Sequence, residues 1–96
     1  MAAGLGQVQP LVITKGQTFA PDEIIEQLSF LGYERVELVD RRGQFAVRGG
    51  IIDIFLPDQG HPIRLDFFGD TVDEIAWFTV ADQRTFEPVK IGRAHV

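Results

Sequence analysis

Between residues 35 and 80 the chain alternates apolar and polar residues with a period of two, and the runs are separated only by short turn-forming clusters. Those clusters are Arg41-Arg42-Gly43, Gly49-Gly50, Pro57-Asp58-Gln59-Gly60 and Gly69-Asp70. A period of two sends successive side chains to opposite faces of a strand. Gly, Pro and Asp at the breaks carry the chemistry of tight turns. A parallel neighbour needs a crossover of a dozen or more residues, and these gaps are too short for one. The spacing therefore predicts strands over residues 35–40, 44–48, 51–56, 62–68 and 71–80, joined as an antiparallel meander. Gly49-Gly50 suits a two-residue hairpin, because glycine accepts positive φ; a bulged continuous strand is the other reading of that pair.

Ahead of the meander, residues 11–14 form a short strand candidate, and Lys15-Gly16-Gln17 a turn. Pro21 then stands where a helix would begin, followed by Asp22 and Glu23. A fixed φ suits proline at that position, and acids favour the positive end of the helix dipole. Ile24, Ile25, Leu28 and Leu31 recur on one helical face, and Gly32 is placed to end the helix in the left-handed conformation. The expected fold class is α+β, with one N-terminal helix packed on an antiparallel β meander.

Composition narrows what such a domain can do. With 96 residues and 45% apolar content, one small core is within reach. A net charge of −5 argues against a nucleic-acid-binding module, which normally shows a basic excess. No apolar run approaches the roughly 20 residues of a membrane span. The absence of cysteine removes disulfides and thiolate metal sites, and suits a cytoplasmic chain. Ser29 has no nearby histidine to activate it, His61 is a turn residue, and no Gly-Lys-Ser/Thr phosphate loop is present. The chain is therefore expected to have no catalytic residues, cofactor or metal, and neither to bind nor to hydrolyse ATP.

Face assignment isolates a small set of residues. In 62–68, Ile63, Leu65 and Phe67 fall on the core side, and Arg64, Asp66 and Phe68 on the outer side. Four strand residues separate Arg64 from Phe68 by about 13 Å. Arg48 lies on the outer face of its own strand. Arginine and aromatic residues are enriched at protein–protein interfaces, so Arg48, Arg64 and Phe68 are candidate partner-binding residues. Asp66, between the last two, is expected to hold Arg64 in place. Lying outside the core, these side chains should contribute little to stability. The alternative is that Phe68 tucks under a loop while the arginines are solvated or paired with Asp53 and Asp66.

The stretches GYERVELV, GQFAVRGGIIDIF, HPIRLDFFGDTVDEI and ADQRT, in that order, resemble the domain shared by the excinuclease protein UvrB and the bacterial transcription-repair coupling factor. The resemblance spans residues 11–88, with FAVRGG, DIF and RLDFFGD as its most specific parts. The coupling factor is the better fit, because UvrB typically carries an aspartate at the position of Gly50, and ADQRT points the same way. Leu56 departs from the usual proline, a difference confined to the local turn. The resemblance implies an interaction domain over residues 10–88, preceded by a linker at 1–9. It implies docking of the excinuclease protein UvrA during nucleotide excision repair, with Arg48, Arg64 and Phe68 as contacts, the same residues that alternation places outside. It further implies a cytoplasmic bacterial parent that uses ATP to move along DNA and displace RNA polymerase, with a C-terminal domain that masks the docking face. The equivalent domain of UvrB, a purely structural subdomain, and a sheet that stacks nucleic acid on Phe45, Phe68 and Trp77 are the competing readings. Residues 89–96 are expected to be a non-native tail. IGRAHV matches one reading frame of a common sequencing adapter, and its deletion should change stability by less than about 0.5 kcal/mol.

Overall fold

The computed structural model describes residues 12–89 and 93–95. Its elements are β1 (Val12–Thr14), α1 (Pro21–Phe30), β2 (Glu34–Arg35), β3 (Gln44–Arg48), β4 (Ile51–Ile54), β5 (Ile63–Phe68), β6 (Thr71–Phe78), β7 (Thr85–Pro88) and β8 (Arg93–His95). Six strands form one sheet in the order β2-β3-β4-β5-β6-β7, and β1 and β8 form a separate antiparallel pair. The fold is α+β, with the helix N-terminal to a mostly antiparallel sheet.

Local chemistry accounts for the helix ends. Ala20 precedes the helix in an extended conformation and offers no side-chain cap, so Pro21 and the acids Asp22 and Glu23 define the start. At the other end Gly32 has φ +91°. Its N–H donates to the Ser29 carbonyl at 3.1 Å, while the Tyr33 N–H reaches the Leu28 carbonyl at 3.0 Å. These two bonds constitute a Schellman motif. Ile24 and Leu28 are fully buried, whereas Leu31 is partly exposed. The helix lays Ile24 and Leu28 on the inner sheet face against Phe45, Ile52, Ile54, Leu65 and Ile75, with Ile13 of β1 completing the core.

Phe45 to Arg48 pair with Ile51 to Ile54, which confirms the two-residue hairpin at Gly49-Gly50. Gly49 adopts φ +56°. Gly50 is needed for a different reason: a Cβ there would lie 3.0 Å from the Phe67 carbonyl oxygen.

Three features depart from the expected meander. Residues 36–40 are not a strand: only Glu34–Arg35 pair, and they run parallel to β3. The connection from Arg35 to Gln44 manages this without a helix because the parallel pairing is only two residues long. It crosses the outer sheet face instead, where the Gln44 side-chain carbonyl accepts the N–H groups of Asp40 and Arg41 at 2.9 and 3.0 Å. Second, Thr85–Pro88 adds an edge strand, β7. All four of its residues are exposed, so no alternation marked it, and a terminal proline is tolerated on an edge. Third, Arg93–His95 pairs with β1. The expected tail is therefore held to β1 over Arg93–His95, while the rest of it at 90–92 and 96, and the expected linker at 1–9, lie outside the described residues.

The outer face is not uniformly open. Val39, Ala46, Phe55 and Phe78 form a second buried cluster there, flanked by Val36 and Val80. The segments that follow β2 and β6 supply this cover. Alternation along 44–48 groups Gln44 and Ala46 with Arg48 on the outward side. They do point outward, but both are buried beneath those segments.

Candidate functional site

β3, β4, β5 and β6 place Ala46, Asp53, Arg64 and Ala76 in one row across the outer face, each opposite the next. The two alanines leave lateral room, and the charged pair lies between them. Arg48 is diagonal to Asp53, because its direct partner is Ile51. A diagonal gap of about 7–8 Å is within reach of a long side chain.

The Asp53 carboxylate collects both arginines. Arg64 Nε donates to Oδ1 at 2.8 Å and Arg64 Nη2 to Oδ2 at 3.1 Å, a bidentate fork. Arg48 Nη2 donates to Oδ2 at 3.1 Å. Asp53 is 1% exposed, so the ion pairs account for a carboxylate inside the most apolar strand. Two guanidinium groups against one carboxylate leave this three-residue cluster with one formal positive charge.

Arg64 is held from further sides. Its Nη1 donates to the backbone carbonyl of Gln83 at 2.9 Å, and its guanidinium carbon lies 4.4 Å from the centre of the Phe78 ring. Gln83 adopts φ +59°, unusual for a residue with a side chain. Its amide nitrogen ties together the carbonyls of Val39 and Val80, at 3.2 and 2.9 Å. The turn before it is braced by Asp82, which accepts the Thr79 hydroxyl and the Arg84 N–H. These bonds hold the Asp82 carboxyl below the usual aspartate range, the Thr79 hydroxyl contributing most.

Each expected site residue now has a place. Arg48 and Arg64 are brought together on Asp53, with side-chain exposures of 44% and 15%. Phe68 ends β5 on the same strand as Arg64 and is 81% exposed, so no loop covers it. Asp66 is exposed and stands opposite Glu74 and Ile51. The acid that holds Arg64 is Asp53 rather than Asp66, because Asp53 is the direct cross-strand neighbour while Asp66 is two residues away along the same strand. Arg64 is also no freely exposed side chain, so the expectation that it contributes little to stability is corrected. Sequence reasoning missed Gln83 and Phe78 as parts of the site. Gln83 acts on Arg64 through its backbone carbonyl, which leaves no mark on the sequence. Pairing of the arginines with Asp53 is the alternative that the sequence also offers, and the structure shows it; an acid within a buried strand is its signal, since a buried charge requires a partner.

Among the described residues no group of His, Cys, Asp and Glu could hold a metal ion, and no helix is long and apolar enough to cross a membrane.

A family model described as the UvrB interaction domain matches residues 11–93. The chain is 46% identical over 91 residues to the transcription-repair-coupling factor of Mycobacterium bovis, covering 95% of this chain and 7% of that protein. It is 41% identical over 80 residues to the Escherichia coli K12 protein of the same name, covering 83% of this chain and 7% of that protein. The Bacillus subtilis counterpart is 39% identical over 87 residues, covering 88% and 7%. The chain thus spans about 7% of the length of these relatives. An α+β fold that carries paired arginines on its outer sheet face, together with a family match over nearly all of its length, places this chain in the UvrB interaction domain family.

Proposed function

We propose that this domain docks the excinuclease protein UvrA through the outer sheet face, and that it does so as a segment of a transcription-repair coupling factor. Its role is then recruitment of the damage-recognition protein in nucleotide excision repair. The observation that carries the reading is the Arg48–Asp53–Arg64 cluster with Phe68 exposed on the same face. Arg48 keeps donors free for a partner carboxylate, and an arginine fork matches a carboxylate better than a lysine does. Phe68 supplies the apolar anchor that a charged contact otherwise lacks. The similarity to coupling factors favours that branch over UvrB itself.

On this reading the domain itself is a cytoplasmic adaptor that needs no cofactor, makes no direct contact with nucleic acid or membrane, and has no catalytic activity. ATP use and contacts with DNA and RNA polymerase belong to the parent protein. The test is titration of the chain against purified UvrA. Arg48→Ala and Phe68→Ala should each weaken binding by about 2 kcal/mol or more, roughly thirtyfold. Wild-type affinity in both variants would remove the assignment. Binding to single-stranded DNA that collapses with added salt would favour the nucleic-acid reading instead.

A further inference from the structure

We propose that Asp53 is a positioning residue for docking: it touches no partner itself but holds Arg48 and Arg64 side by side as one preorganised cationic unit. The inference rests on the docking reading and goes beyond it by assigning a role to a residue buried beneath the contact face. At 1% exposure Asp53 cannot reach another protein. Its two oxygens accept three donors, two from Arg64 and one from Arg48.

The geometry gives the two arginines different tasks. Arg64 is forked to Asp53, bonded to the Gln83 carbonyl and stacked on Phe78, so it is nearly immobile. Arg48 is tied to the site by one bond to Asp53 and remains nearly half exposed. An unheld arginine samples many rotamers and loses that freedom on binding. Asp53 imposes that loss during folding, so less remains to be lost at docking. It also offsets one of the two positive charges, which lets the guanidinium groups share one site. The partner surface that fits this unit is a carboxylate beside an apolar contact for Phe68.

A purely structural role for Asp53 would lower the melting temperature and affect binding only in proportion to unfolding. The two roles separate in a double-mutant cycle on the full 96-residue chain, read by titration against UvrA well below the melting midpoint. Asp53→Asn preserves shape and removes charge. It should weaken binding by about tenfold, and by at least threefold less in an Arg48→Ala background, because contacting pairs couple while independent sites add. Asp53→Glu keeps the charge and shifts it by one methylene, so it should also weaken binding; this variant decides the matter if Asp53→Asn does not fold. As a direct readout, the Arg64 Nε–H should exchange slowly with water in the wild type and faster in Asp53→Asn. Folded Asp53 variants with wild-type affinity would overturn the proposal and leave the docking reading intact. An undiminished effect in the Arg48→Ala background would also overturn it, by showing that Asp53 does not act by holding Arg48 beside Arg64. Failure of the wild-type chain to bind UvrA would remove the docking reading, and this inference with it.

Discussion

Arg64→Ala should be the most informative single change to the stability of this domain. The substitution deletes a two-bond fork to a carboxylate that is 1% exposed, a bond to the Gln83 carbonyl and a cation–π contact at 4.4 Å. Removing one partner of a buried ion pair costs about 3–5 kcal/mol, mostly because the other charge is left uncompensated. Here Arg48 remains on Asp53 and the vacated space opens toward solvent, so a loss of about 2–3 kcal/mol is the better figure. For a domain of this size, each kcal/mol lowers the melting temperature by about 4–8 °C, so the fall should be roughly 10–20 °C. Thermal melts by circular dichroism read this directly. A companion variant, Arg64→Met with Asp53→Ala, removes both charges and should regain part of the loss, since an apolar pair needs no compensation. A melting temperature for Arg64→Ala within about 3 °C of wild type would refute the reasoning, because the pair would then contribute no more than a surface salt bridge. The expected fall also means that binding lost in Arg64→Ala must be measured at a temperature where the variant is folded.

Phe68→Ala should behave in the opposite way: with the ring 81% exposed, stability should stay within about 0.5 kcal/mol in a denaturant melt while affinity for the partner falls. A large loss of stability there would show that the ring packs against the domain. Gly50→Ala should destabilise by about 1–3 kcal/mol, because the new Cβ meets the Phe67 carbonyl oxygen of the adjacent strand β5 at 3.0 Å; an unchanged melt would mean that this approach relaxes freely. The Asp82 carboxyl should titrate below the ordinary aspartate range in a carbon-detected NMR titration, and Thr79→Val should raise it. Since the folded value is the lower one, the turn's contribution is present above the ordinary aspartate value and lost as pH falls through the folded value. A normal Asp82 titration in the wild type would show that this bracing is absent in solution.

Much of this architecture was legible in the chain itself. Pro21, the acids after it and Gly32 bound the helix because each acts on the backbone within one turn, and the Schellman bonds at Gly32 and Tyr33 follow from that local chemistry. The hairpins at Gly49-Gly50 and Gly69-Asp70 were equally readable, since a period of two with a two-residue break admits few arrangements. The same period placed Arg48, Arg64 and Phe68 outward.

What alternation could not express is what happens above a face. A strand residue is assigned in or out, yet Gln44 and Ala46 point outward and are buried, because loops from both sides fold over that end of the sheet. Val39 and Leu38 show the same limit. Treated as a strand, residues 36–40 group Val36 with Leu38, whereas Val39 is buried and Leu38 is 57% exposed once the segment turns irregular. The choice of Asp53 over Asp66 as the acid for Arg64 depends on cross-strand register, a relation between residues eleven apart in sequence. Local chemistry thus determined the helix, the turns and the facing of the central strands, because those depend on neighbours along the chain. Only the tertiary structure decided which charges meet, which outward residues are covered and which arginine stays within reach of a partner, because those depend on chain segments that meet only when the sheet and its loops close.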